Sequence, residues 1–164
     1  MNTFYYTRIE SPVGTISLAV NEDGALAVVC FSELAEVKSY LTLDAVLKPD
    51  AARAASAAAE LQAYFAGELQ AFLTPVKPVI GTPFQRRVWM ALARIPFGET
   101  WSYARLAAET GSVARAVGAA NGANPISIVV PCHRVIGANG SLTGYAGGLD
   151  RKRALLLHED AILV

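Results

Sequence analysis

The sequence contains few of the residues that bind metals or form disulfides, with two cysteines and two histidines among its 164 residues. Two cysteines provide no disulfide framework, and so few ligands argue against a zinc site with four protein ligands. We therefore predict neither a metal nor a cofactor. Cys30 and Cys132 are expected to be free thiols.

Long apolar runs are absent as well. No run approaches the roughly 20 residues that cross a bilayer, and residues 1–10 lack the apolar stretch of a secretory signal. We expect a cytoplasmic protein that does not bind membranes. Disorder is excluded because 53% of the residues are hydrophobic, 17% are charged and the net charge is zero.

The charges are unevenly distributed along the chain. Residues 1–80 contain 5 basic and 9 acidic side chains, whereas residues 81–164 contain 9 basic and 5 acidic side chains. The C-terminal half therefore either meets a polyanion or presents a solvated basic face.

The first half of the chain has the pattern of a small α/β unit. Three short runs rich in β-branched and aromatic residues, separated by turn residues, predict an antiparallel meander over residues 4–9, 15–20 and 25–31. The alanine-rich residues 51–67 predict an amphipathic helix. Prolines interrupt residues 73–83, which we interpret as a connector between a domain at 1–80 and a second domain at 81–164.

The second half is predicted to be mainly helical. Thr82, Pro83 and Gln85 form the pattern of a capping box at the start of a helix that ends near Arg94. Further helices are predicted at 102–109 with Ser102 as cap, at 113–123, and from a cap at Asp150 to His158. The apolar residues 126–130 predict a buried strand.

Cys132 follows that predicted strand and precedes a glycine-rich loop at 137–148. A nucleophilic thiol needs a base or a positive neighbour, and His133 is a candidate base. Glu159 could orient the imidazole if the last helix packs against the turn. The alternative is that Cys132 is a small core residue, which is our interpretation of Cys30, in an apolar strand with no titratable neighbour.

The segments around Cys132 resemble a known signature. PCHRVIG at residues 131–137 and GYAGGL at residues 144–149 are similar to the motifs of the O6-alkylguanine-DNA alkyltransferases. Shorter matches occur in the same order at 84–85, 88–89, 95–96, 98, 102–103, 115–118, 124–125 and 128–130. The resemblance is dense over residues 80–160, and the N-terminal half fits the family only in outline.

The resemblance implies an α+β protein: a small N-terminal α/β domain with an antiparallel sheet, and a mainly helical C-terminal domain with a helix-turn-helix and an active-site cysteine turn. It implies DNA repair by direct reversal, in which an alkyl group moves irreversibly, once per molecule, from O6-alkylguanine to Cys132. O4-alkylthymine is an alternative substrate. The implied partner is double-stranded DNA, bound through the minor groove by a monomer, with cooperative binding along DNA as an alternative.

The resemblance also implies roles for individual residues. Cys132 would accept the alkyl group, while His133 and Glu159 would relay the thiol proton. Tyr103 would aid rotation of the nucleotide and donate a proton to the departing guanine. Asn124 would brace the turn.

The remaining implied residues bind the substrate or the DNA. The guanine pocket would be formed by Val135, Tyr145, Ala146 and Gly147. Arg115 would fill the gap left by the extruded base, next to Ala116 and Gly118 on the same helix and Tyr103 on the helix before it.

Two features depart from the family pattern. The spacing from Tyr103 to Arg115 is about two residues shorter than usual, and the turn lacks its common proline. Asn139 replaces an often acidic residue that can pair with the arginine after the histidine, which here is Arg134.

Two other functions are compatible with parts of this pattern. One is a cysteine hydrolase that uses Cys132 and His133. The other is a non-catalytic module like the alkyltransferase-like proteins, which carry another residue at the acceptor position. A purely structural C-terminal domain is the third alternative.

Overall fold

The structure, a computed structural model, describes residues 2–163 of the chain. The chain divides into two compact units, Met1–Ile80 and Gly81–Val164. The first contains a four-stranded sheet with two helices, and the second is mainly helical. The predicted α+β class is confirmed. Within the described residues, no helix combines the length and the hydrophobicity that crossing a membrane requires.

The sheet of the first unit has the strand order β3-β2-β1-β4. Its strands are β1 (Thr3–Ser11), β2 (Gly14–Val20), β3 (Leu26–Cys30) and β4 (Val46–Pro49). The first three strands pair antiparallel, as the meander prediction states. Asn21 stabilises the second turn, because its side-chain oxygen accepts hydrogen bonds from the N–H groups of Asp23 and Ala25.

The antiparallel prediction covers β1, β2 and β3, and the sheet has a fourth strand that was not predicted. β4 lies beside β1 in parallel, at the edge of the sheet. The sequence VLKP of β4 has no alternation of buried and exposed side chains and includes a proline, which is tolerated because this strand is at an edge. Neither β4 nor the six-residue helix α1 (Leu34–Ser39) is predicted from the sequence, because both are too short to establish a periodicity.

The alanine-rich helix, α2 (Ala55–Phe65), is shorter than predicted. Its first residues form a turn instead, in which the Asp50 side chain accepts a hydrogen bond from the Arg53 N–H group. The connector that follows is irregular, as its prolines predict. The carboxylate of Glu60 holds it through the N–H groups of Leu73 and Thr74.

The described part of the second unit contains four α-helices, one 3-10 helix and a small parallel sheet. In chain order its elements are α3 (Pro83–Leu92), β5 (Trp101–Ser102), α4 (Tyr103–Thr110), α5 (Ala114–Gly122), a 3-10 helix (Cys132–Arg134), β6 (Val135–Ile136) and α6 (Leu149–His158). The capping box of Thr82 and Gln85 and the cap at Ser102 are confirmed. Gly111 ends α4 in the left-handed conformation, at φ 67°, and so allows the short turn into α5.

Two local predictions in this unit are wrong. Residues 126–130 form a turn, not a buried strand, because the Asn124 side chain bonds the backbone of Ile126 and Val130. Asp150 is not the cap of α6. The capping position is Gly148, without a side-chain hydrogen bond, and Asp150 lies in the first helical turn, where a carboxylate favours the helix dipole.

Candidate active site

The turn before Cys132 is held by one buried amide, that of Asn124. Its Oδ1 accepts the Ile126 N–H at 3.0 Å, and its Nδ2 donates to the carbonyls of Val130 at 2.8 Å and Ile126 at 3.3 Å. Within the turn, Ile128 has a φ of 71°, a conformation that is rare for a β-branched residue. The sequence can adopt this shape because the Asn124 amide replaces the hydrogen bonds that a strand would have made.

Cys132 begins the 3-10 helix at the end of this turn and is 5% exposed. Its N–H donates to the Val130 carbonyl at 2.8 Å. Its own carbonyl accepts two hydrogen bonds, from the Val135 N–H and from Nδ2 of Asn121 at 3.3 Å. The backbone of the thiol-bearing residue is therefore fixed on both sides.

Burial raises the pKa of the Cys132 thiol above its usual value. Hydrogen bonds from the Asn124 and Tyr145 side chains and the positive charge of Lys152 act in the opposite direction but do not outweigh burial. The thiol is therefore protonated at neutral pH, and its use as a nucleophile requires a base.

His133, the next residue, is fully buried and bonded to Glu159. His133 Nε2 lies 2.8 Å from Oε2 of Glu159. Arg134 binds the same carboxylate through two nitrogens, at 2.7 Å and 2.9 Å, and donates a further hydrogen bond to the Ile95 carbonyl at 2.7 Å. The end of α6 thus contacts the turn, which is the geometry that a relay from Cys132 through His133 to Glu159 needs.

The pKa shifts in this cluster follow from burial and from the charges in contact. Burial lowers the pKa of His133 more than Glu159 raises it, so the imidazole is neutral at pH 7 and can accept a proton. Burial by itself would raise the pKa of Glu159. The hydrogen bonds and charges of His133 and Arg134 outweigh it and lower this pKa to about 2, so the carboxylate is ionised.

Lys152, on α6, places an ammonium group inside the same site. Its Nζ donates to the carbonyls of Val135 at 2.6 Å, Thr143 at 2.7 Å and Gly144 at 3.5 Å. Burial lowers its pKa to about 8, against the opposing effect of Cys132. Lys152 therefore joins the glycine-rich loop to β6 and favours the thiolate form of Cys132 by its charge.

Two tyrosines line the site, one from α4 and one from the glycine-rich loop. The Tyr103 hydroxyl, at the start of α4, donates to the Thr143 carbonyl at 3.4 Å. The Lys152 ammonium lies 5.9 Å from the centre of the Tyr103 ring. Tyr145, from the glycine-rich loop, is half-buried, and its side chain acts to lower the pKa of the Cys132 thiol.

Family models match almost the whole chain. Residues 83–161 match the DNA binding domain of 6-O-methylguanine DNA methyltransferase, and residues 4–78 match its ribonuclease-like domain. The chain belongs to this family. The resemblance noted in the sequence is thereby confirmed.

Relatives in the family align over nearly their full length. The methylated-DNA–protein-cysteine methyltransferase of Mycobacterium tuberculosis strain H37Rv is 49% identical over 93% of this chain and 90% of its own. The protein of that name from Methanosarcina acetivorans is 50% identical over 93% of this chain and 96% of its own. The crystal structure of the M. tuberculosis protein in complex with DNA superposes with a TM-score of 0.84 at 46% identity, covering 96% of this chain and 93% of that one.

Within the family's DNA binding domain, the residues that the resemblance assigns to DNA lie on two consecutive helices. Arg115 is exposed in the first turn of α5, and Ala116 beside it is half-buried. A Cβ added at Gly118 would be in van der Waals contact with the Tyr103 ring, at 3.8 Å. The shortened turn therefore still leaves α5 packed close to Tyr103.

The residues assigned to the guanine pocket lie at different depths. Val135 is buried in β6, and its carbonyl is already used by Lys152. Ala146 is exposed, and the Gly147 carbonyl accepts a hydrogen bond from Arg151 at 3.1 Å. Their roles in binding guanine stay predictions.

Lys152 and the pairing of Arg134 were not predicted from the sequence. The signal for Lys152 is present, because it lies three and four residues before the buried Leu155 and Leu156 on one face of α6. Arg134 does not need an acidic residue at position 139, because Glu159 is its partner.

No group of three or more histidine, cysteine, aspartate or glutamate side chains that could hold a metal ion occurs within residues 2–163.

Proposed function

We propose that this protein repairs DNA by direct reversal, moving the alkyl group of O6-alkylguanine onto the sulfur of its own Cys132. The observation that carries the proposal is the buried Cys132 thiol on a braced turn, followed by a neutral His133 paired with an ionised Glu159. Membership of a methyltransferase family supports the same reaction.

The reaction needs only groups that this site contains. Sγ of Cys132 attacks the alkyl carbon, and the bond from that carbon to O6 breaks with its electron pair passing to the guanine. The thiol proton goes to Nδ1 of His133, directly or through a solvent molecule, and Glu159 stabilises the imidazolium that forms. Tyr103 supplies a proton as negative charge develops on the guanine, and the proton held by His133 then returns to Tyr103 through solvent. The products are an intact guanine and a thioether.

Water does not displace a thioether under mild conditions, so each molecule acts once. We do not expect Cys30 to be a second acceptor, because it is buried in β3 among apolar side chains and burial raises its pKa to about 11. Cys30 was predicted to have no titratable neighbour, but the charge of Glu36 also raises its pKa. A cysteine hydrolase would instead form a thioester, which water cleaves, so it would turn over repeatedly. The number of turnovers per protein molecule therefore distinguishes the two functions.

The partner in this proposal is double-stranded DNA containing O6-alkylguanine, bound through the minor groove by a monomer. The target base has to leave the stack to reach a buried thiol. Arg115 fills the gap, with Ala116, Gly118 and Tyr103 beside it. The flipped guanine is then recognised by Val135, Tyr145, Ala146 and Gly147. We also propose that the protein acts in the cytoplasm.

The proposal is tested by mass spectrometry of the Cys132 peptide after incubation with a duplex that contains one O6-methylguanine. The expected result is one methyl group on Cys132, one repaired guanine per protein molecule, and no further reaction with excess duplex. Repeated turnover, or a methyl group on another residue, would refute the proposal.

Arg115→Ala should slow repair of duplex DNA about tenfold or more, while reaction with free O6-benzylguanine stays within about twofold of wild type. Base extrusion costs a few kcal/mol, and only the duplex reaction includes it. Single-turnover kinetics on the two substrates measure the effect. Arg53→Ala, which removes a half-exposed arginine from the first unit, is the control for net charge. Equal losses on both substrates would mean that Arg115 serves the pocket.

Lys152→Met should shift the pH profile of alkyl transfer to higher pH and slow transfer at pH 7 about tenfold. A rise of about one pH unit in the pKa of the Cys132 thiol would have this effect. The reason is that the ammonium favours the Cys132 thiolate. Transfer rates measured across the pH range give the shift. Arg153→Met, on an exposed face of the same helix, is the matched control. An unchanged profile would contradict the electrostatic role of Lys152.

A further inference from the structure

Asn121 is a buried polar side chain on the helix that carries Arg115. It lies in the last turn of α5 and is 4% exposed, on the same buried face as the apolar Val117 and Ala120. Nothing in the reaction described above uses its side chain. Its one hydrogen bond runs from Nδ2 to the Cys132 carbonyl, at 3.3 Å.

The orientation of this amide follows from its partner. A carbonyl oxygen only accepts hydrogen bonds, so the Asn121 atom that faces Cys132 is the nitrogen. The Asn121 oxygen is buried and has no hydrogen-bond partner among the described residues. Asn124 differs, because both of its amide atoms are bonded to the backbone of the turn.

A buried acceptor without a partner lowers stability relative to an apolar side chain of the same shape. Stability alone therefore gives no reason to prefer asparagine here over an apolar side chain of similar size, such as leucine. What the asparagine provides is the hydrogen bond to Cys132. With this bond and the one from the Val135 N–H, the carbonyl oxygen of Cys132 accepts two hydrogen bonds.

We propose that Asn121 is a positioning residue, whose Nδ2 ties the Cys132 backbone to α5 and so holds Sγ in line with the alkyl carbon. The inference rests on the proposed alkyl transfer to Cys132. The tether acts on the attacking residue and not on DNA, so it matters equally for a nucleotide in duplex DNA and for a free base. In-line displacement depends on the direction of attack, which makes the rate sensitive to small movements of this backbone.

The test compares Asn121→Leu with wild type in three measurements: the single-turnover rate, the affinity for duplex DNA and the unfolding free energy. We expect the rates on O6-methylguanine duplex and on free O6-benzylguanine to fall by the same factor, about fivefold to tenfold, as expected for the loss of one neutral hydrogen bond in the reactive geometry. Affinity for the duplex should be unchanged. Stability should be equal or higher, because the unpaired oxygen is removed.

Asn121→Ala provides a second test that does not depend on how leucine packs. Both variants lose the donor, so both should show the same loss of rate, whereas only alanine leaves a cavity and lowers stability. Asn21→Leu is the matched control. It removes the two hydrogen bonds of the β2–β3 turn in the first unit, so it should lower stability and leave the transfer rate of the folded protein unchanged.

The outcomes separate the positioning role from a structural one. A rate that follows stability across the variants, or weaker binding of duplex DNA by Asn121→Leu, would overturn the inference and assign Asn121 to helix packing. A wild-type rate in Asn121→Leu would also overturn it. If wild-type protein places no alkyl group on Cys132, the proposed function fails first, and the inference with it.

Discussion

A Cys132→Ser protein is expected to transfer no detectable alkyl group and still to bind duplex DNA that contains O6-methylguanine. The hydroxyl of serine is a far weaker nucleophile towards an alkyl carbon than a thiol, and it ionises much less readily at neutral pH. The fold of the turn should survive, because the hydrogen bonds that hold residue 132 involve its backbone. Affinity should stay within about twofold of wild type, since it comes from phosphate and groove contacts. Mass spectrometry and a binding titration measure the two effects.

Cys30→Ser is the matched control for this prediction. Cys30 is buried in β3 among apolar side chains that include Val28 and Val37, so a hydroxyl there should lower stability without affecting transfer. Methyl transfer by Cys132→Ser at the wild-type rate would refute the assignment of the acceptor. Loss of transfer in both variants would point to a folding defect.

The elements that the sequence predicted well are those with a local physical signal. Thr82 and Gln85 satisfy one another's backbone groups, so the start of α3 depends on four consecutive residues. Alternating strands with turns at Gly14 and Asn21 similarly define the meander.

The predictions that were wrong or missing concern backbone hydrogen bonds whose partners lie outside the segment itself, either a few residues away or in a distant strand. Residues 126–130 have the composition of a strand, but a side chain outside the run, that of Asn124, takes their backbone hydrogen bonds. β4 exists because it pairs with β1, some forty residues earlier in the chain. Neither the hydrogen bonds of Asn124 nor the pairing of β4 with β1 can be predicted from amino-acid composition alone.

The site residues that are adjacent in the chain could be predicted from the sequence, whereas those brought together only by the tertiary fold were harder to predict. Cys132 and His133 are neighbours, and the expected contact of His133 with Glu159 is present at 2.8 Å. Arg134 and Lys152 join the site only because α6 returns to the turn. That helix contributes Lys152, whose charge acts on the Cys132 thiol, and its C-terminal cap contributes the Glu159 carboxylate, which pairs with His133 and Arg134. The catalytic roles of these residues stay predictions.

Glu159→Gln should lower the free energy of unfolding by about 3 kcal/mol at pH 7 and slow alkyl transfer about a hundredfold. The carboxylate pairs with the buried Arg134 guanidinium, and removing one partner leaves an uncompensated charge. Glutamine also fails to stabilise the imidazolium that His133 forms during transfer, which removes most of the benefit of general base catalysis. Denaturant titration and single-turnover kinetics measure the two losses.

The stability loss should depend on pH in a direction set by the Glu159 pKa, which is about 2 in the folded protein against an ordinary value of 4.5. As the pH falls, Glu159 is protonated in the unfolded chain before it is protonated in the folded protein. The contribution of its carboxylate to the free energy of unfolding is therefore complete above about pH 4.5 and is lost towards pH 2. At that pH, wild type and Glu159→Gln should have converging stabilities. Glu109→Gln is the matched control, since Glu109 pairs with Arg94 at the surface, where such a pair contributes at most about 1 kcal/mol. If the difference in unfolding free energy between wild type and Glu159→Gln stayed constant down to pH 2, the loss would come from packing. A contribution from the ionised carboxylate has to vanish once Glu159 is protonated in the folded wild-type protein.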